Sequence, residues 1–547
     1  MLWTFVTLVA TASLLCLVKW YTTKLSNRRK ELYHPGPKPL PIIGNALDIP
    51  KVSPWREYAS WRRQYGKTGD IIHLSALGKH IVVVNSIEKA VDLLDKRSSN
   101  YSDRPDIPMA NMTGWTAINI GLIHYGELWR RHRRLFHQKF RQNAVSEFRP
   151  LQTSKIQVLL HNLLENPEEF SLHVRNFPAS VIMAATYGYE IAPRNDPIVT
   201  LVDEASTMIT EHIFLGSQLV NVFPVLRHIP DWMPGTAFKK IARDCHNKVN
   251  EMMDTPFYAV KEQMAKGEAM PSWTSELLQD HDAKNRGEEG EYLIKSVTAT
   301  AFAVAADTSA SSLASFILAM VLYPDVLAKA QAELDSVVGN TRLPNFGDRD
   351  SMPYIDALCH EIFRWSPAVP LGVPHAALED DIYDGRLIPA GAFPYAVPIP
   401  SPVITQFHSS HERVEHLTNR TSSHSGTMIL SNIWAMSRDE RIYDQPSKFM
   451  PERFLNADGT EVTHDPLPTF GFGRRICVGR HLADDTLWIA VATMISCFNF
   501  TKAKDVFGKE IDVTGEFDDK LISHPRPFKC SITPRSDAAV NLIKTSV

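Results

Sequence analysis

The sequence lacks several features that would assign a protein to a common class at once. Its six cysteines are scattered along 547 residues without a C-x-x-C pair, which excludes a disulfide scaffold and a structural zinc site. It has no surplus of positive charge either: 58 Lys and Arg stand against 61 Asp and Glu, so nothing indicates nucleic acid as a partner. There is no G-x-G-x-x-G loop after a predicted strand and no Walker-type phosphate loop, so electrons from a nicotinamide or flavin would have to come from another protein.

Long hydrophobic runs are also rare, and a mean hydropathy of −0.17 excludes a protein that crosses a membrane many times. The one clear run covers residues 2–18, carries no charge and would span roughly 26 Å as a helix, close to a bilayer core of about 30 Å. Basic residues follow it at Lys24, Arg28, Arg29 and Lys30, which favours a cytosolic location for the rest of the chain. We predict that residues 1–30 form a single-pass membrane anchor with a basic flank, in contact with membrane lipid; a cleaved signal peptide and a buried core helix are the alternatives.

The body of the chain reads as mainly α-helical with a smaller β region. Residues 81–84 form a β-branched run typical of a strand. Helical patterns dominate from about residue 127 to residue 370, and the longest covers residues 293–322 before Pro324 interrupts it. This pattern is rich in Ala, Ser and Thr, so it could approach a bulky group closely, although tight packing between helices explains it equally well.

The densest motif lies in residues 470–483. Its glycines permit a sharp turn, Arg474 and Arg475 precede Cys477, and a helical pattern begins directly after the cysteine. Cations and a helix N-terminus favour the thiolate form of a cysteine, which could hold a soft metal or iron from one side. A buried structural cysteine is the alternative, and we assign that role to Cys497, which lies in an apolar helical run.

This motif resembles the haem-binding loop of the cytochrome P450 family. The family pattern Phe-x-x-Gly-x-Arg-x-Cys-x-Gly is filled here by Phe470, Gly473, Arg475, Cys477 and Gly479. The resemblance implies the cytochrome P450 fold, haem b as the cofactor, and the thiolate of Cys477 as the axial ligand of the haem iron. It covers nearly the whole chain, so residues 31–547 are expected to form one haem domain.

Two further motifs of the family appear in the expected order. Glu361 and Arg364 resemble its E-x-x-R pair, whose spacing places both side chains on one helical face. Residues 451–454, Pro-Glu-Arg-Phe, resemble the motif whose arginine joins that pair, here Arg453. By resemblance, these three residues form a structural charge cluster beneath the haem and take no part in the chemistry.

The same resemblance suggests which side chains hold the haem propionates. Trp129 and Arg133 match the W-x-x-x-R helix of the family and lie four residues apart, on one face. An arginine can bind a carboxylate through two hydrogen bonds. His375 lies where the family often has a second propionate ligand, and Arg475 is a third candidate.

The oxygen side of the site is expected in the long small-residue helix. Residues 304–309, Val-Ala-Ala-Asp-Thr-Ser, resemble the family's [AG]-G-x-[DE]-T motif, with Ala305 where glycine is usual. Cleavage of O2 requires protons in a dry pocket, and a hydroxyl beside a carboxylate can relay them, so Asp307 and Thr308 are predicted to be catalytic. The alternative is that Thr308 only hydrogen-bonds to its own helix.

The resemblance implies a haem-thiolate monooxygenase that uses O2 and depends on NADPH–cytochrome P450 reductase. Residues 221–235 and 363–367 are similar to the fungal group of O-methylsterigmatocystin oxidoreductase, which serves secondary metabolism of terpenoids, polyketides and alkaloids. A lipophilic small molecule is the expected substrate, because the expected substrate-facing stretches are mainly apolar: 109–122, 208–220, 302–306 and 369–373. With the anchor, this implies the endoplasmic reticulum membrane. A haem-thiolate isomerase or dehydratase, and a haem protein without turnover, are the alternatives.

One segment does not fit the family pattern. Residues 392–426 interrupt it between Gly391 and Thr427, and they contain several prolines, histidines, serines and threonines. A structureless loop of this length is unusual inside a compact domain. We interpret the segment either as an unspliced intron in the gene model, which keeps the reading frame, or as a real surface insertion. If it disrupted the haem domain, it would account for the inactive alternative.

Overall fold

The computed structural model describes residues 32–212, 218–284, 287–390, 426–460 and 467–545. These residues divide into two compact units. The first unit contains residues 32–106, 373–390 and 426–436, and the second contains the rest. The predicted membrane helix over residues 2–18 and nearly all of the predicted insertion 392–426 lie outside the described residues.

The first unit is built on short strands: β1 (Ile71–Ala76), β2 (Lys79–Val84), β3 (His375–Ala376), β4 (Asp381–Tyr383), β5 (Arg386–Ile388) and β6 (Met428–Ser431). The strand order in its main sheet is β1-β2-β6-β3, with β2 and β6 parallel and the other neighbours antiparallel. Leu77 and Gly78 join β1 to β2 with φ of 49° and 83°, the left-handed geometry that a two-residue hairpin turn requires. The strand predicted at residues 81–84 is the buried end of β2.

One amphipathic helix, three short α-helices, a 3-10 helix (Gly66–Asp70) and a π-helix (Val91–Lys96) complete the first unit. Helix α1 (Pro54–Gln64) buries Trp55, Tyr58 and Trp61, whose spacing of three residues keeps them on one face. The short helices are Ile87–Ala90, Ser98–Tyr101 and Ile433–Met436.

Strands β4 and β5 form a separate antiparallel pair, and the residues that follow β5 lie next to those that precede β6 in the main sheet. The hydroxyl of Thr427 donates a hydrogen bond to the carbonyl oxygen of Pro389. The backbone N–H of Ala377, next to β3, donates to the carbonyl of Thr427 over 3.1 Å. The described residues that flank the predicted insertion, Pro389 and Thr427, are therefore in direct contact within the first unit.

The second unit is mostly helical. Its longer helices are α2 (Glu127–Phe140), α3 (Arg149–Glu165), α4 (Phe170–Tyr187), α5 (Pro197–His212), α6 (Ala237–Lys266), α7 (Trp273–Lys284), α8 (Gly287–Leu322), α9 (Pro324–Val337), α10 (Pro353–Trp365), α11 (Arg480–Cys497) and α12 (Asp537–Thr545). Shorter helices are Pro108–Met112, Trp115–Ile118, Gln142–Val145 and Leu219–Val222. Strands β7 (Phe498–Lys502) and β8 (Cys530–Pro534) form an antiparallel pair.

Helix α8 is the central element of the second unit. Its N-terminal half packs in a core with side chains of α2, α5, α6 and α7, and its C-terminal half packs in another with α3, α4, α10 and α11. It begins at Gly287, before the predicted start at residue 293, because Glu288 and Glu289 suit the positive end of a helix. It ends before Pro324, as predicted. Among the described residues, α8 is the one helix long and apolar enough to cross a membrane, yet most of it is buried in this core.

Candidate active site

The cysteine loop of residues 470–479 lies directly before α11 and is fixed by backbone hydrogen bonds. The N–H of Gly471 donates to Pro468 over 2.9 Å, and the N–H of Cys477 donates to Phe470 over 2.8 Å. Gly471 and Gly473 have φ of 75° and 55°, a region in which glycine carries no steric cost. The loop can therefore turn back on itself and present Cys477 just ahead of the α11 N-terminus.

Cys477 is accessible to solvent, yet protein atoms surround its sulfur closely enough to affect the pKa of the thiol. Burial raises the pKa of this thiol. Hydrogen bonds from the N–H groups of Gly479 and Arg480 and the charge of Arg133 offset this increase only in part. The net pKa lies above its usual range, so the predicted bias toward thiolate is wrong for the free thiol. A bound metal deprotonates a thiol outright, so the same donors would then stabilise the anion.

Helix α2 and the cysteine loop are joined by arginines. The Arg133 guanidinium donates to the carbonyl of Ile476 over 2.6 Å, and burial lowers the pKa of Arg133 to about 10. The guanidinium of Arg475 lies 4.6 Å from the ring centroid of buried Trp129, a cation–π contact. Arg475 also donates to two backbone carbonyls, those of Ile120 and Ile123. The structure thus brings Trp129, Arg133 and Arg475 together around the loop that carries Cys477.

His132 is a positioning residue that the sequence reasoning missed. Its ring is fully buried, with Nδ1 2.9 Å from the carbonyl of Leu128 and Nε2 2.9 Å from the hydroxyl of Ser296 on α8. A backbone carbonyl only accepts, so Nδ1–H donates to Leu128 and Nε2 accepts from Ser296. His132 therefore ties α2 to α8. The available signal was its position three residues after Trp129, on the buried face of an otherwise basic helix.

Helix α8 has one accessible stretch between its two buried halves. Residues 303–309 are partly accessible, and the side chain of Val304 is 39% exposed. The hydroxyl of Thr308 donates to the carbonyl of Val304 over 2.9 Å. This is the helix hydrogen bond that the sequence offered as the alternative to a relay, and it leaves the oxygen of Thr308 free to accept a proton or a hydrogen bond. Ala305 lies in the same accessible stretch.

The carboxylate of Asp307, next along α8, is paired with a side chain that no motif indicated. Its Oδ1 lies 3.1 Å from Nε2 of His524. Burial raises the pKa of Asp307, but the hydrogen bond and charge of His524, together with the charges of Arg175 and Lys520, bring the net pKa below its usual value.

The charge cluster of α10 is fully buried. Two nitrogens of Arg364 contact the two carboxylate oxygens of Glu361 at 2.6 and 2.8 Å, and both side chains have no exposed surface. Arg453 adds a contact of 3.1 Å to Glu361. The remaining donors of Arg364 are used on the carbonyls of Ser437 and Pro446. Such a bidentate, fully hydrogen-bonded pair fixes the chain around residues 437–453 against α10.

His375 belongs to the first unit. It lies in β3, is buried, and its Nδ1 is 2.7 Å from the carbonyl of Tyr101, so Nδ1–H donates and Nε2 faces elsewhere. Its predicted contact with a propionate stays a prediction.

The second unit offers donors that fit haem. The accessible thiol of Cys477 before α11 would hold the haem iron, and backbone N–H groups point at its sulfur. The charge of Arg133 acts on that thiol, and Arg475 lies on the ring of Trp129, so the two guanidinium groups would bind the carboxylates of the haem.

Comparison with known proteins shows which family the chain resembles over most of its length. The cytochrome P450 family model matches residues 34–393 and 421–532, with a break inside the predicted insertion. A cytochrome P450 monooxygenase named ple1, from Rhodocybe pseudopiperita, is 38% identical over 526 residues, covering 95% of this chain and 93% of its own length. Cytochrome P450 monooxygenase 208 of Postia placenta is 38% identical, with 93% and 91% covered. The tryptamine 4-monooxygenase of Psilocybe cyanescens is 36% identical, with 94% and 96% covered.

Proposed function

The chain belongs to the cytochrome P450 family and is a monooxygenase of that family, and we propose that it inserts one oxygen atom from O2 into a lipophilic small molecule in fungal secondary-metabolite biosynthesis. The observation that carries this proposal is Cys477, an accessible thiol at the start of α11 with two backbone N–H groups at its sulfur. Relatives from fungi named as monooxygenases support the reaction class.

The family implies haem with a cysteine thiolate ligand, and we assign Cys477 as that ligand. Bound haem would supply the site at which O2 is activated by two electrons. Arg475, which lies against Trp129, and Arg133, which is bonded to the carbonyl of Ile476, would bind the propionates, with His375 as a further candidate. Phe470, Gly473 and Gly479 would shape the loop around the sulfur.

The chain's own part in the reaction is to position groups and move protons. The accessible stretch of α8 offers the carboxylate of Asp307 and the hydroxyl of Thr308. The hydroxyl oxygen of Thr308 can accept a proton from Asp307 while the hydroxyl gives up its own proton. In this way a threonine side chain relays a proton. The electrons come from NADPH through NADPH–cytochrome P450 reductase, because no phosphate-binding loop for a dinucleotide is present in the sequence.

The first experiment tests the ligand. Membranes containing the full chain are reduced and treated with CO, and a band at about 450 nm is expected for a thiolate-ligated haem. Cys477→Ser should lose the band. The matched control Cys530→Ser changes another cysteine that is not fully buried, in β8, and should keep it. A Cys477→Ser protein that retains the band would overturn the assignment.

The second experiment separates the monooxygenase from the two other readings. The full chain with reductase, NADPH and ¹⁸O2 should yield a product that contains one labelled oxygen atom. An isomerase or dehydratase would give product without label and without NADPH. A haem protein without turnover would show the 450 nm band and no product from any of the candidate pathway intermediates offered.

A further inference from the structure

His524 reaches α8 from the C-terminal segment that ends before β8. Its Nε2 lies 3.1 Å from Oδ1 of Asp307. The backbone around it is closed on itself: Asp518 N–H donates to the carbonyl of His524, and His524 N–H donates to the carboxylate of Asp518. The imidazole is thus held in place by its own loop. Its side chain is 29% exposed and that of Asp307 is 42% exposed, so this pair connects α8 to solvent.

Charged groups from three other positions face Asp307. Arg175 on α4 and Lys520 from the segment of His524 both lower its pKa through their charge, after the larger effects of burial and His524. Asp203 on α5 is ion-paired with Arg175, and burial followed by the charge of Asp307 raises the pKa of Asp203. Asp307 is therefore an ionised carboxylate among cations, and of those cations only an imidazole exchanges its proton readily near neutral pH.

We propose that His524 is a positioning residue for proton delivery: it holds the carboxylate of Asp307 in place within the accessible stretch of α8 and passes protons from solvent to that carboxylate. This inference rests on the proposed monooxygenase function. In each passage, the proton on Nε2 of the imidazolium moves to Oδ1 of Asp307, and a proton from solvent restores the imidazolium. The net transfer is one proton from water to the carboxylate, which can hand it to Thr308.

The alternative is an ion pair that only stabilises the fold, and two substitutions distinguish the roles. His524→Lys keeps a positive charge beside Asp307 but gives up its proton far less readily near pH 7. His524→Gln keeps a hydrogen-bond donor without charge or proton exchange. His161→Gln is the matched control, since His161 on α3 also faces a carboxylate, Glu165 at 3.2 Å, outside the site.

The kinetic test uses the full chain with reductase and NADPH, without added substrate. We expect both His524 variants to raise the fraction of consumed O2 that is released as hydrogen peroxide, because slow proton delivery favours release of peroxide over formation of water. The ratio of NADPH consumed to O2 consumed should then fall, because reduction of O2 to water uses twice as many electrons as reduction to peroxide. The rate of water formation should drop on the order of 10- to 100-fold in both variants, the low end of a general acid contribution. Its solvent isotope effect in D2O should rise.

A thermal unfolding measurement supplies a readout that needs no turnover. A double-mutant cycle of His524→Gln and Asp307→Asn should show a coupling energy, because the two side chains are in direct contact.

Two results would overturn the proposal. One is a rate of water formation in His524→Lys equal to that of the wild type, because only the positive charge of His524 would then matter. The other is a peroxide fraction and a solvent isotope effect in His524→Gln equal to those of His161→Gln. If the wild-type protein itself lacks the 450 nm band, the proposed function has failed, whatever the His524 variants do.

Discussion

Among single side chains, Glu361 is the one whose loss should cost the most stability. Its carboxylate receives Arg364 and Arg453 in a fully buried site, so Glu361→Gln leaves buried guanidinium charge without its partner. We expect the free energy of unfolding to fall by about 3–5 kcal/mol, measured by urea titration. Glu262→Gln is the control: it removes an exposed ion pair with Lys266 and should leave the midpoint unchanged. Equal effects of the two variants would contradict the buried-pair argument.

The role of Thr308 can also be tested by a substitution that removes only its hydroxyl group. Its hydroxyl donates to Val304, so Thr308→Val keeps the volume but removes the group that could relay protons. We expect a several-fold larger share of O2 to leave as peroxide, with Thr308→Ser close to wild type. Ser312→Ala on the same helix, which removes only a hydrogen bond to the carbonyl of Thr308, should change nothing. A valine variant with wild-type water formation would leave Thr308 as a helix-bonding residue.

What the sequence could predict at this scale depends on distance along the chain. The pair of Glu361 and Arg364 and the loop around Cys477 are local, so spacing and glycine content suffice. The contact of His524 with Asp307 joins distant parts of the chain, and no local pattern indicates it. The raised pKa of the free Cys477 thiol was also hidden, because burial is a property of the folded chain.

At the scale of elements, the ends of β5 and β6 predict the outcome of a deletion. Thr427 contacts Pro389, so removing residues 392–426 leaves Pro389, Ala390, Gly391 and Thr427 as four consecutive residues, the length of a β-turn. We expect the deleted protein to load haem at least as well as the full chain, judged by the 450 nm band per mole of protein.

The transcript offers an independent check of the same segment. The family match stops at residue 393 and resumes at residue 421, which is consistent with extra codons between them. A message without these codons would identify an intron, whereas a message with all of them, and a deletion that abolishes haem binding, would identify a required insertion.

Helix boundaries show the limit of pattern reading for whole elements. Pro324 ends α8 as predicted, because proline cannot continue the hydrogen-bond ladder. The start was placed too late, since the first turns of α8 are polar and lack the apolar period. The sheet order β1-β2-β6-β3 was not predicted at all, because β3 and β6 are only two and four residues long and β6 pairs with the distant strand β2.

At the scale of the whole molecule, stability should fall in acid. Each unit buries a neutral histidine: burial lowers the pKa of His34 in the first and His132 in the second to about 4. The unfolded chain binds these protons at about pH 6.5, so between pH 6.5 and 4 it holds more protons than the native state, and the free energy of unfolding falls as the pH drops. The loss is about 3 kcal/mol for each histidine.

The slope of the unfolding midpoint against pH measures this effect. His132→Gln should flatten the slope between about pH 6.5 and 4, since one titrating group is gone. His137→Gln, an exposed histidine on the same helix α2, should leave the slope as in the wild type. Parallel slopes in all three proteins would show that buried His132 does not govern acid stability.

The contact between Pro389 and Thr427 has a practical consequence for anyone who works with this enzyme. A chain whose flanking residues are in contact can carry foreign sequence between them, because the entropy cost of closing a loop grows only slowly with its length. An affinity peptide or a fluorescent domain placed after Gly391 would label the protein at an internal position. The two chain termini would then not need to carry a tag.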